Sequence, residues 1–70
     1  MKIDAIADIK ETAHDVLFKF QTGKFSREDV YGAAIDLVIQ FNRLVTETSH
    51  DEEEAQDVAD ILFVLKSISK

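Results

Sequence analysis

The chain contains no cysteine and no proline, and only two glycines among its 70 residues. Without cysteine there is no disulfide framework and no thiolate metal site, and no redox compartment is implied. Without proline, no segment is broken by a missing backbone N–H. Basic residues are scarce as well: eight against fourteen acids, a net charge of −6. That balance disfavours nucleic-acid phosphate and anionic membrane surfaces as partners. It suits solubility, and it suits a protein partner with a basic surface. The longest apolar run is Ile61-Leu62-Phe63-Val64-Leu65, far short of the ~20 residues a membrane span needs. No N-terminal stretch has the layout of a signal peptide. The expectation is a cytoplasmic protein.

What is present is helical periodicity, in one domain over residues 1–70. The first helix is expected over residues 3–21, with Asp4 as its N-cap. Ile6, Ile9, Ala13, Val16 and Phe20 step by three and four along one seam, which Leu17 widens. Asp8, Glu11, Asp15 and Lys19 face away, and Asp15 and Lys19 form an i, i+4 pair in the favourable order. Gly23 stands where a left-handed residue closes a helix. The short connection over 21–24 makes the first two helices antiparallel neighbours.

The second helix is expected over 26–47. Ser26 is its N-cap, Asp29 the acid of a capping box, and Phe25 and Val30 a hydrophobic staple. Val30, Ala34, Leu37, Phe41 and Leu44 form one stripe. Tyr31, Ile35, Val38 and Val45 form a second beside it, and Ile39 stands off both. The polar positions make only a narrow line: Asp36, Gln40, Arg43, Glu47. This helix is apolar on more of its surface than one neighbour can cover.

The third helix is expected over 50–69, with Ser49 and Glu52 as a capping box. Asp51, Glu52, Glu53 and Glu54 load its first turns with negative charge, where the helix dipole favours it. Lys66 and Lys70 lie near its other end. Ala55, Val58, Leu62 and Leu65 form its core stripe, with Ala59, Ile61 and Ile68 beside it.

The resulting expectation is an all-α, antiparallel three-helix bundle, up-down-up. Three seams fill one core and leave Phe18, Tyr31, Ile35, Ile39, Phe63 and Val64 over. A chain this small buries only roughly 60% of its extended-chain surface. Small folds of this kind often rely on a staple or an oligomer. Self-association through the second and third helices, as a homodimer, is therefore expected.

Catalytic signals are weak. There is no Gly-rich phosphate loop and no cysteine nucleophile, and Ser26 and Ser49 are accounted for as caps. His14 and His50 have no histidine or acid at a metal-box spacing. The acids from Asp51 to Asp60 lack the order of a calcium loop. No catalytic, cofactor-binding or metal-binding residue is assigned, and no cofactor is expected.

Two resemblances bear on function. Glu54-Ala55-Gln56-Asp57, followed by Asp60 to Leu65, resembles the ExxD helix of MazG-type all-α nucleotide pyrophosphohydrolases. The likeness covers about twenty residues. It implies Mg²⁺ held by acids from two helices against a nucleoside triphosphate. The first helix offers Asp8-Ile9-Lys10-Glu11 in place of that family's ExxE motif. In general outline, the short acidic chain with its Gly-Lys-x-Ser-x-Glu junction (Gly23 to Glu28) also resembles bacteriocin immunity proteins, an outline shared by many helical hairpins.

The reading that follows is a small acidic protein-binding module acting by occlusion, of inhibitor, immunity or adaptor type, and not an enzyme. Asp51, Glu52, Glu53, Glu54 and Asp57 would steer it toward a basic partner, with apolar residues nearby supplying burial. The alternatives are a structural dimerisation protein and a metal-dependent nucleotide hydrolase.

Overall fold

A computed structural model describes residues 5–47 and 50–68. The described residues form three helices: α1 (Ile6–Gln21), α2 (Arg27–Glu47) and α3 (Glu52–Ile68). All three pairs of helices are in contact, which makes the fold an all-α three-helix bundle.

The termini of the helices show how local chemistry sets their lengths. α1 starts later than its periodicity suggests. Its N-cap is Ala5, in extended conformation, whose carbonyl accepts from the N–H groups of Asp8 at 3.1 Å and Ile9 at 3.4 Å. The cap expected at Asp4 lies outside the described residues. α1 ends in a Schellman turn around Gly23, whose φ is +82°. Lys24 N–H donates to the Lys19 carbonyl at 2.8 Å, and Gly23 N–H donates to the Phe20 carbonyl at 3.1 Å. Thr22 Oγ1 adds a bond to the Phe18 carbonyl at 3.0 Å.

α2 opens with the expected reciprocal capping box. Asp29 N–H donates to Ser26 Oγ at 3.2 Å, and Ser26 N–H donates to Asp29 Oδ2 at 3.0 Å. Lys19 joins α1 to this turn. Its Nζ pairs with Asp15 Oδ2 at 3.0 Å and lies 5.3 Å from the centre of the Phe25 ring.

α3 corrects the expected start. The helix begins at Glu52 and its cap is Asp51. The Asp51 carboxylate accepts from Glu53 N–H at 2.8 Å, and its carbonyl accepts from Ala55 N–H at 2.9 Å. An aspartate one residue before the helix offers the same acceptor as a serine, with a charge suited to the dipole. Ser49, and with it the box proposed for Ser49 and Glu52, falls outside the described residues, as do Ser69 and Lys70 at the far end.

The core is aliphatic. α1 contributes Ile6, Ile9, Ala13 and Val16, and α2 contributes Val30, Ala34, Leu37 and Leu44. α3 contributes Val58, Ile61, Leu62 and Leu65. Ile61, placed beside the stripe by its spacing, belongs to the core. Phe20, Phe41 and Ala55, placed in the seams, are only half-buried at its edge.

Candidate interaction surfaces

One ion pair fixes which way the helices are turned. Lys10 Nζ on α1 lies 3.4 Å from Asp57 Oδ2 on α3. Residues seven apart share a helix flank, so Val64 lies on the same flank of α3 as Asp57. Val64 and Ile61 line a shallow open groove with Lys10, His14, Asp57 and Asp60. Phe18, four residues beyond His14, continues the α1 side of this region.

The right-handed sense of the helices determines the rest. With its Asp57 flank against α1, α3 turns its other flank, carrying Ala59 and Phe63, toward α2. α2 then turns the flank with Tyr31, Ile35 and Val38 toward α3. The polar line of Asp36, Gln40 and Glu47 falls on the α1 side of α2, and Asp8, Asp15 and Lys19 fall on the α2 side of α1. The bundle therefore has a polar α1–α2 face and an apolar α2–α3 face.

Heights along the bundle follow from the connection between Glu47 and Glu52, at 1.5 Å per residue. Phe63 lies roughly 16 Å from that end, and Ile39 and Ile35 lie roughly 12 and 18 Å from it. Those three side chains, with Tyr31 one turn further on, gather at mid-height. All four are exposed, Phe63 to 71% and Ile39 to 62%. Phe18 and Val64 are also exposed, but they belong to the α1–α3 side. The six leftover apolar residues thus divide into a group of four and a separate pair.

The acids gather elsewhere. Asp51, Glu52, Glu53 and Glu54 cluster at the end of the bundle where α3 begins. Asp57 stands one turn up, held by Lys10. Glu52 shares the α2–α3 side with the apolar group, roughly 12 Å below Ile39. Asp57 points toward α1. The steering charge and the apolar face adjoin, and Glu52 belongs to both.

The likeness to a nucleotide pyrophosphohydrolase needs Asp8, Glu11, Asp57 and Asp60 to converge. Asp57 instead meets the Lys10 ammonium, and Asp60 accepts from Gln56 Nε2 at 2.9 Å. Among the described residues, no three His, Cys, Asp or Glu side chains come together in a way that could hold a metal. No described helix is long and apolar enough to cross a membrane.

Sequence periodicity could find the residues left out of the seams. It could not find their division into two faces, which depends on how each helix is rotated in the bundle. The one signal available was the complementary charge of Lys10 and Asp57.

The fold and these surfaces define a class, a small all-α three-helix bundle with an exposed apolar face. No protein-family model matches the chain, nor does any of the curated proteins or solved structures compared with it.

Proposed function

We propose that the protein is a helical interaction module, working by protein–protein contact and not by catalysis. The observation that carries this reading is the placement of the largest apolar side chains. The chain has five phenylalanines and one tyrosine, and none of them is in the fully buried core. Aliphatic residues fill the interior, while Tyr31 and Phe63 stand on the α2–α3 face beside Ile35 and Ile39. Aromatic anchors of this kind dominate protein contacts, because a large rigid surface is buried at little cost in conformational entropy. Burying a large apolar side chain contributes on the order of 1.5–3 kcal/mol. Four such residues, each already part-buried, would still offset much of the cost of association.

The acidic end sets the character of the encounter. Asp51, Glu52, Glu53 and Glu54 concentrate negative charge at one end of the molecule, which steers it toward a basic surface. The module would then act by occlusion, covering a partner's surface as an inhibitor, immunity or adaptor protein does.

The test is comparative capture from a cell lysate. The parent protein, a face variant (Ile39→Lys with Phe63→Lys) and an acid variant (Glu53→Lys with Glu54→Lys) are used as bait. The expected result is a partner retained by the parent and lost by the face variant. The acid variant should bind it more slowly and with weaker salt dependence. An identical set of proteins on all three baits would refute the reading.

A further inference from the structure

We propose that the α2–α3 face is covered by a second copy of this chain, packed antiparallel about a two-fold axis lying across the helices at the height of Phe63. The proposal rests on the reading of that face as a contact surface and names its occupant.

The charge layout along the face points to this arrangement. At one end stands Glu52, the first residue of α3; at the other stands Arg27, the first residue of α2, on the flank that faces α3; between them Lys66, three residues beyond Phe63, stands on the same flank of α3 roughly 21 Å up. Arg27 lies twenty residues before the end of α2, roughly 30 Å from the connection. The midpoint between Arg27 and Glu52 is therefore roughly 15 Å up, which is the height of Phe63 between Ile39 and Ile35. A two-fold axis through the apolar group, tilted roughly 20° from square across the helices because α2 and α3 stand roughly 10 Å apart, sets Arg27 of one chain opposite Glu52 of the other, twice. A parallel pairing would instead bring the two Arg27 ends together and the two Glu52 ends together. Glu28 stands about 100° further round α2 and does not share the flank of Arg27.

The area is of the right size. The molecule is 35 Å long, and a face two helices wide, at roughly 10 Å per helix, offers about 700 Å². A standard stable interface takes about 800 Å² from each partner. Repetition of one patch on both copies is what a two-fold contact requires. Such a dimer consumes Tyr31, Ile35, Ile39 and Phe63. Glu53, Glu54 and Asp57 lie off that face.

The absence of native cysteine makes a direct test possible. Light scattering across a dilution series gives the mass, and two single-cysteine proteins, Arg27→Cys and Glu52→Cys, are oxidised alone and mixed. Both positions are exposed first-turn residues outside the core, so both variants should keep the helical circular dichroism of the parent. The expected result is a dimer mass at high concentration and a disulfide that forms in the mixture, between unlike chains only. The face variant Ile39→Lys with Phe63→Lys should weaken the dimer on the order of a hundredfold. Self-linking of each variant alone would overturn the antiparallel arrangement. So would a dimer that the face variant leaves intact. A monomer mass at every concentration would overturn the second copy as occupant. It would leave the interaction reading to its own test, the loss of a captured partner by the face variant.

Discussion

The two glycines of this chain should respond in opposite directions to the same substitution. Gly23→Ala adds a methyl group where nothing lies within 4 Å, so no clash opposes it. The cost is in the backbone, because φ is +82°. A left-handed conformation costs an L-residue about 1–2 kcal/mol. Loss of freedom in the unfolded chain returns about 0.4–1 kcal/mol. The net expectation is a loss of about 1 kcal/mol, which for a domain this size lowers Tm by about 4–8 °C. Gly32→Ala also meets nothing within 4 Å, but residue 32 lies in the ordinary helical backbone of α2. There alanine is better than glycine by about 1 kcal/mol, and Tm should rise by about 4–8 °C. The assay is thermal and urea unfolding followed by circular dichroism, in dilute solution so that the monomer alone is measured. A Gly32→Ala protein that melts below the parent would show that the space beside α2 is not open. A Gly23→Ala protein as stable as the parent would show that the turn after α1 is not left-handed. Either result would refute the reasoning from backbone geometry.

Other substitutions test the parts of the fold separately. Ser26→Ala and Asp51→Ala each remove a side-chain acceptor at a helix start and should each lower stability by about 1 kcal/mol in urea unfolding. Ile9→Ala empties a fully buried site in α1 and should cost about 2–5 kcal/mol. Against a total of roughly 4–10 kcal/mol for a chain of this length, that removes about half of the stability and should lower the urea midpoint in proportion. Lys10→Met breaks the ion pair to Asp57, whose side chains are about half exposed. It should change stability by less than about 1 kcal/mol, and a larger loss would mean that this pair holds α1 to α3.

Much of this structure was legible in the sequence because helix signals are local. Ser26 and Asp29 lie three residues apart, and their reciprocal bonds need only the first turn of α2. Gly23 could be read as a helix stop from its position alone. The seams were legible too, since a step of three or four residues puts side chains on one face whatever the neighbours do. Two things were not. The start of α3 was misplaced because serine and aspartate offer nearly the same acceptor, and the chain has Ser49 and Asp51 two residues apart. The rotation of each helix was also hidden. Phe63 and Val64 are sequence neighbours left over by the same seam, yet they stand about 100° apart around α3. That angle sends one toward α2 and the other into the groove with His14. A pattern read along one helix cannot say which neighbour lies on which side.

The aliphatic core and the aromatic rim together carry a last consequence. If a second copy covers Phe63 and Tyr31, folding and dimerisation share one free energy, because the dimer binds only the folded chain. Stability must then depend on concentration. Once the dimer is saturated, each tenfold rise in concentration adds about 1.4 kcal/mol per dimer. Spread over the unfolding entropy of two 70-residue chains, that moves Tm by about 5 °C. Differential scanning calorimetry over a hundredfold range of concentration should therefore show a rise of about 10 °C. The Ile39→Lys, Phe63→Lys variant should show much less of that rise, because its core is untouched and its roughly hundredfold weaker dimer is largely dissociated over the lower part of the range. A parent protein with a Tm independent of concentration would mean that the aliphatic core holds the monomer together without help. The exposed rings would then be available to a different protein, and the bundle would have to be read as a stable carrier for that contact.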